Sequence, residues 1–157
     1  MKPSHFSSLI DIVLYCPEIP HNTGAIGRLC VGLDIRLHLI HPLGFALTDR
    51  FLKRAGLDYW EFLDVTTHEN WDVFVKATSQ QRIWLSTTKT EHSLFDCHFT
   101  KGDIFLFGSE SSGVPEHIHQ YLKKNRFRIP MSGQHARSLN LAQAVAVATY
   151  EAYRQLK

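Results

Sequence analysis

Apolar and polar positions along this chain follow two rhythms. Short apolar runs, many rich in β-branched or aromatic residues, read as strands: "LIDIVLY" (9–15), "IRLHLI" (35–40), "EFLDV" (61–65), "RIWLS" (82–86), "DIFLFG" (103–108) and "RFRIP" (126–130). Between them lie segments with helical spacing: "NTGAIGRLCVGL" (22–33), "DRFLKRAG" (49–56), "NWDVFVKAT" (70–78) and "PEHIHQYLKK" (115–124), with a last helix over about 138–155. Strands that alternate with helices predict an α/β fold with a mainly parallel sheet and helices on both faces. Ligands of such sheets bind outside the carboxyl ends of the strands, so the loops that follow strands carry the chemistry.

Three of these loops stand out. In "IPHNTGAIGRLC", Asn22 is a good helix N-cap, and Gly24 lets the backbone approach a neighbour. Ile26, Leu29, Cys30 and Leu33 share one face of the helix that follows. Gly24, Gly27, Arg28 and Val31 share the other, a small-residue face with one long cation. That face suits close approach of another backbone, from a second subunit for example, and Arg28 is equally explained as a solvated side chain. In "FLFGSESSGVPEHI" an apolar strand runs into a glycine- and serine-rich loop, and Pro115 suits the first turn of a helix. Glu110 in this loop is either a catalytic carboxylate or a cap for the next turn. In "RFRIPMSGQHARSLNLAQAVAV", Ser138 or Asn140 starts the last helix, with Ser138 a plausible N-cap. The "AQAVAVA" behind it is apolar around nearly its whole circumference, so it is buried on several sides, against a partner subunit as well as its own sheet.

Composition narrows the classes. The chain has 157 residues, 44% hydrophobic and 20% charged, with no internal repeat, low-complexity tract or linker, which predicts one soluble domain over 1–157. A net charge of +2 permits a nucleic-acid partner without arguing for one. Cys16, Cys30 and Cys97 are far apart and form no CxxC pair, so neither a zinc knuckle nor a redox dithiol is expected. No signal-peptide pattern opens the chain, and no apolar stretch approaches the roughly 18 residues of a membrane span. The expected setting is the cytoplasm. Neither glycine-rich nucleotide fingerprint is present, nor are the zinc-protease and serine-hydrolase motifs. His117 and His119 fall on different helical faces, which speaks against a metal site. "KKNRFR" (123–128) mixes cations with Phe127 and reads as a solvated edge or an RNA-phosphate contact.

Taken in order, "NTGAIGRLC", "FGSESSGVP" and "RIPM" with "RSLNLAQAVAV" resemble the three signature motifs of the SPOUT (SpoU-type) RNA methyltransferases. "LYCPEIPHNTG", "HPLGF" and "RAGLDYWEF" narrow the resemblance to short members that methylate the 2′-hydroxyl of the tRNA wobble nucleotide (C34/U34). The loop "SGQHA" (132–136) is a residue longer than that pattern. The resemblance covers nearly the whole chain and implies a homodimer, a C-terminal trefoil knot and S-adenosylmethionine as cofactor, with S-adenosylhomocysteine as product. It places cofactor contacts at Ser86, Gly108, Ile129 and Ser138, with no metal. It gives Arg28 the central catalytic role, while Asn22, Glu110 and Asn140 orient the loops. The implied substrate is tRNA, leucine tRNAs in particular. The alternatives are a ribosomal-RNA 2′-O-methyltransferase and a knotted RNA-binding module without catalysis.

Overall fold

The computed structural model describes residues 8–48, 50, 54 and 59–157. Apart from Arg50 and Arg54, the helix expected over 49–56 lies outside the described residues. Six strands form one sheet: β1 (Ile10–Tyr15), β2 (Leu37–Ile40), β3 (Val65–His68), β4 (Ile83–Ser86), β5 (Asp103–Phe107) and β6 (Arg126–Phe127). Their order across the sheet is β3-β2-β1-β5-β4-β6, and every neighbouring pair is parallel. The central strands β1 and β5 are buried on both faces, which explains why they are apolar but for Asp11 and Asp103.

Helices cover both faces. On one, α1 (Pro20–Leu33) and α4 (Leu141–Leu156) pack Ile26, Cys30, Val145 and Ala148 against Ile12, Leu37 and Phe105. On the other, α2 (Trp71–Ala77) and α3 (Glu116–Tyr121) pack Phe74 and Ile118 against Val13, Ile40 and Leu106. Each fully buried side chain of this size is worth about 1.5–3 kcal/mol, so the two layers together hold the sheet rigid. Asn70 caps α2 by accepting from Val73 N at 2.9 Å.

The chain moves outward from β1 to β2 and β3, then reappears on the far side as β4 and β5. The order therefore reverses between β1 and β5, and a crevice opens beyond their carboxyl ends. The loops after β1, β5 and β6 meet there.

Several elements differ from the sequence reading. "EFLDV" is not a strand: Trp60–Phe62 is a turn of 3-10 helix, and β3 starts only at Val65, paired with Leu37. An edge strand spelled Val-Thr-Thr-His, its two threonines exposed, carries little apolar signal. Asn22 does not cap α1. Pro20 opens that helix after Ile19, which gives no side-chain cap, and Asn22 is drawn into other bonds. Ser138 does not cap α4 either; Asn140 does, its Oδ1 accepting from Ala142 N and Gln143 N. The small face of α1 is covered from within the chain: a Cβ on Gly27 would lie 3.1 Å from Cζ3 of Trp60 and 3.2 Å from Cδ2 of Leu63. In the single chain α4 leaves one side open, as the sequence reading expects of a helix that also packs on a partner subunit. Gln143, Val147, Tyr150 and Arg154 form an exposed stripe along it.

Candidate active site

The crevice between the three loops holds a cavity of about 470 Å³, within the ~300–1,000 Å³ usual for small-molecule sites. Leu85, Phe107, Val114, Ile129 and Leu141 supply apolar walls. Ser86 at the end of β4, Thr87 and Thr88 after it, and Ser138 before α4 bring hydroxyl-bearing residues to the same space. Such a mixture suits a ligand with a flat ring and several polar groups.

A set of side-chain bonds locks the loops together. The Glu110 carboxylate, after β5, accepts from the backbone N–H of Glu18 at 2.9 Å and of Ile19 at 2.7 Å. Those amides lead into α1, so a carboxylate 91 positions away serves its N-terminus, where the helix dipole favours negative charge. Glu18 returns the contact, its Oε1 accepting from the N–H of Ser111 at 3.0 Å and from the Ser111 hydroxyl at 2.6 Å. These bonds, the hydroxyl first, hold the Glu18 carboxyl below the usual range. Asn22 Nδ2 reaches Glu110 at 3.4 Å, and Asn140 Nδ2 donates to Asn22 Oδ1 at 3.1 Å. One chain of bonds, Glu110–Asn22–Asn140, thus ties all three loops.

The β5 loop owes its shape to Gly108. Ser109 and Gly113 exchange backbone bonds of 3.1 and 3.0 Å, folding the loop back on itself. A Cβ on Gly108 would sit 2.5 Å from both Cα and C of Gly113. Gly113 itself has φ +66, a left-handed conformation that favours glycine. On the pocket's flank, His119 is buried and its Nδ1 has no hydrogen-bond partner among the described residues. Burial, and then the charge of Lys89, push its pKa down, so the imidazole stays neutral near pH 7.

Of the residues singled out from sequence, Ser86, Gly108, Ile129, Ser138, Asn22, Glu110 and Asn140 all line this cavity. Arg28 does not. It lies six residues beyond Asn22 on α1, about 9 Å along the helix, exposed and with its Cζ over the Tyr59 ring. Sequence reasoning missed Glu18, whose only sign was a carboxylate between two prolines, and His119, dismissed with its neighbour as a poor metal pair. Among the described residues no cluster suited to a metal ion occurs, and no helix is long and apolar enough to cross a membrane.

An all-parallel sheet whose loops tie into one polar-and-apolar cavity defines a class of small-ligand enzymes, and the comparisons specify which. The model of the SpoU rRNA Methylase family matches residues 10–150, so the chain belongs to that family. It is 49% identical over 148 residues to the tRNA (cytidine(34)-2'-O)-methyltransferase of Methylovorus glucosotrophus, covering 94% of this chain and 96% of the relative. A solved structure concerned with 2-OH methylation of C/U34 on tRNA superposes with a TM-score of 0.89 at 45% identity, covering 96% of this chain and 97% of that one. The SpoU methyltransferase AviRb from Streptomyces viridochromogenes, in complex with AdoMet, shares the fold: TM-score 0.84 at 22% identity, over 98% of this chain and 59% of its own.

Proposed function

We propose that this protein transfers a methyl group from S-adenosylmethionine to the ribose 2′-hydroxyl of the wobble nucleotide, C34 or U34, of tRNA. The observation that carries the reading is the cavity itself. It is built from the three motif loops, closed by the Glu110–Asn22–Asn140 bonds, and sits in a chain close to half identical to tRNA 2'-O-methyltransferases.

When bound, the donor supplies an electrophilic methyl on a sulfonium sulfur. Ser86, Gly108, Ile129 and Ser138 would hold it in the cavity, Ile129 offering an apolar wall and the loop groups polar contacts. Alignment of hydroxyl oxygen, methyl carbon and sulfur is the main service the protein renders, worth on the order of 7–11 kcal/mol at best. Glu110 is spent on two backbone amides and so acts as a strut, not as a base. Arg28 holds the ribose-phosphate and polarises the 2′-hydroxyl. As a cation it stabilises the negative charge that develops on that oxygen, while the hydroxyl proton passes to solvent water. Because Arg28 stands about 9 Å along α1 from Asn22, the acceptor nucleotide spans that gap or meets an Arg28 brought by a second copy of the chain.

The second copy fits the exposed stripe on α4, where Val147 and Tyr150 meet solvent at 39% and 52% of their surface. A cytoplasmic homodimer with the family's C-terminal knot completes the proposal.

Labelled-methyl transfer onto total RNA, followed by nucleoside digestion, tests it. A 2′-O-methylated cytidine or uridine from tRNA supports the reading. Label in ribosomal RNA makes the chain a ribosomal-RNA enzyme, and donor binding without transfer makes it a binding module.

A further inference from the structure

We propose that Tyr59 is a positioning residue for Arg28, holding the guanidinium flat so that its N–H edge faces the ribose-phosphate of the RNA. The inference rests on the role of Arg28 proposed above. The Arg28 Cζ lies 4.9 Å from the centre of the Tyr59 ring. No hydrogen bond or ion pair reaches the Arg28 guanidinium from any described residue. With its Cζ over the ring and no described acceptor on it, the guanidinium keeps its five donors free for RNA oxygens. This arginine is therefore held in place without being occupied, unlike Arg82 and Arg154, whose donors are taken by Asp103 and Glu151.

Tyr59 is itself anchored. Phe62 N–H donates to Tyr59 C=O at 3.0 Å, and Leu63 N–H to Trp60 C=O at 3.1 Å, closing a tight 3-10 turn. The next two anchors of that turn go into the molecule: the Trp60 ring lies in the space left by Gly27, and Leu63 is buried in the core. Gly27 and Arg28 are adjacent, so one step of α1 receives the shelf and the next lays its cation on it. An exposed arginine with a free side chain samples many rotamers. Stacking on a fixed ring narrows them and reduces what is lost when RNA binds. Phosphate and ribose oxygens are the acceptors such an in-plane edge fits, and unpaired nucleotides are commonly read by arginine and aromatic groups together.

The test compares Tyr59→Leu, Tyr59→Phe, Arg28→Ala and the double variant Arg28→Ala/Tyr59→Leu. The readouts are affinity for an anticodon stem-loop RNA, kcat and KM for methyl transfer to tRNA, donor affinity and thermal midpoint. Tyr59→Leu is expected to weaken RNA binding about two- to fivefold, the size of an exposed cation–aromatic contact, with donor affinity unchanged. Tyr59→Phe, which keeps the ring, restores wild-type behaviour. In the Arg28→Ala background, Tyr59→Leu has no further effect, because the pair acts as one unit. Wild-type RNA affinity in Tyr59→Leu overturns the inference. So does an undiminished Tyr59→Leu loss once Arg28 is gone. If the wild type binds RNA but transfers no methyl, the proposed activity fails on its own, and the coupling in RNA affinity still decides the role of Tyr59.

Discussion

The side-chain amide of Asn140 donates to the Oδ1 of Asn22 at 3.1 Å, joining two loops 118 positions apart in the chain. The same asparagine caps α4 through its own Oδ1, so one side chain starts a helix and fastens it to the opposite wall of the cavity. Replacing Asn140 by Ala is expected to cost about 1 kcal/mol in denaturant unfolding through the lost cap, and to weaken donor binding as well. Asn140→Asp separates the two tasks. It keeps the acceptor that caps the helix but cannot donate to Asn22, so stability should hold while calorimetric donor affinity falls.

Gly108→Ala places a methyl 2.5 Å from backbone atoms of Gly113 and 2.9 Å from Val114 N, none of which can swing aside like a side chain. The 109–113 loop must move. A stability loss of ~1–3 kcal/mol is expected, with donor binding abolished because this loop forms one wall of the cavity. Wild-type calorimetric binding by a folded variant would show that the loop does not contact the donor.

Arg28→Ala leaves the core untouched, since the side chain is exposed and its one interaction among the described residues is with the Tyr59 ring. Its unfolding free energy should change by less than ~0.5 kcal/mol, and its donor affinity should match wild type. Methyl transfer to tRNA should collapse, because hydroxyl positioning acts in the transition state. Near-wild-type turnover would remove Arg28 from the mechanism.

A buried polar row across β1, β2 and β3 predicts acid sensitivity. His38 Nδ1 lies 2.9 Å from His68 Nε2, and its Nε2 lies 3.2 Å from Asp11 Oδ2, which Gln81 also approaches at 3.3 Å. The Ser8 hydroxyl donates to the other Asp11 oxygen, and the Phe74 ring packs against both imidazoles. Burial, and then the neighbouring His38, lower the pKa of His68. The unfolded chain therefore takes up this proton near pH ~6.5 while the folded chain resists it. The His68 contribution should be complete above that pH, decline as pH falls below it, and level off beneath the folded value. At Asp11 burial opposes ionisation, but hydrogen bonds from His38 and Ser8 outweigh it and the pKa falls. Its contribution is present above the unfolded value near ~3.9 and is lost only as pH drops through the lower folded one. Denaturant midpoints measured from pH 7.5 downward should show the first decline, and His68→Gln should flatten it.

The exposed stripe on α4 predicts self-association. Tyr150→Glu should leave unfolding nearly unchanged, because Tyr150 is half exposed in the single chain. Sedimentation at low micromolar concentration should give twice the chain mass for the wild type and a single mass for the variant. A wild-type monomer would remove the homodimer from the proposed function.

Much of this protein is determined by local sequence. β1 and β5 are spelled as apolar runs, broken by Asp11 and opened by Asp103, because they are buried on both faces, and α2 begins where Asn70 caps it. The three motif loops follow strand ends, where parallel sheets collect ligand sites, and their order along the chain marks the family. Tertiary structure alone decided which groups those loops present to one another. Asn22 and Ser138 both look like caps, since capping preference is local, yet Pro20 and Asn140 start the helices. Asn22 is instead claimed by partners 88 and 118 positions away. Glu18 meets Ser111, and Trp60 fills the space at Gly27, only because the fold brings distant segments together. β3 escapes the hydrophobic pattern because an edge strand buries too little to need one. Periodicity reports what each residue does within its own element. Contacts between loops carry no period, so the sequence named the residues of the site while the packing of the sheet assigned their partners.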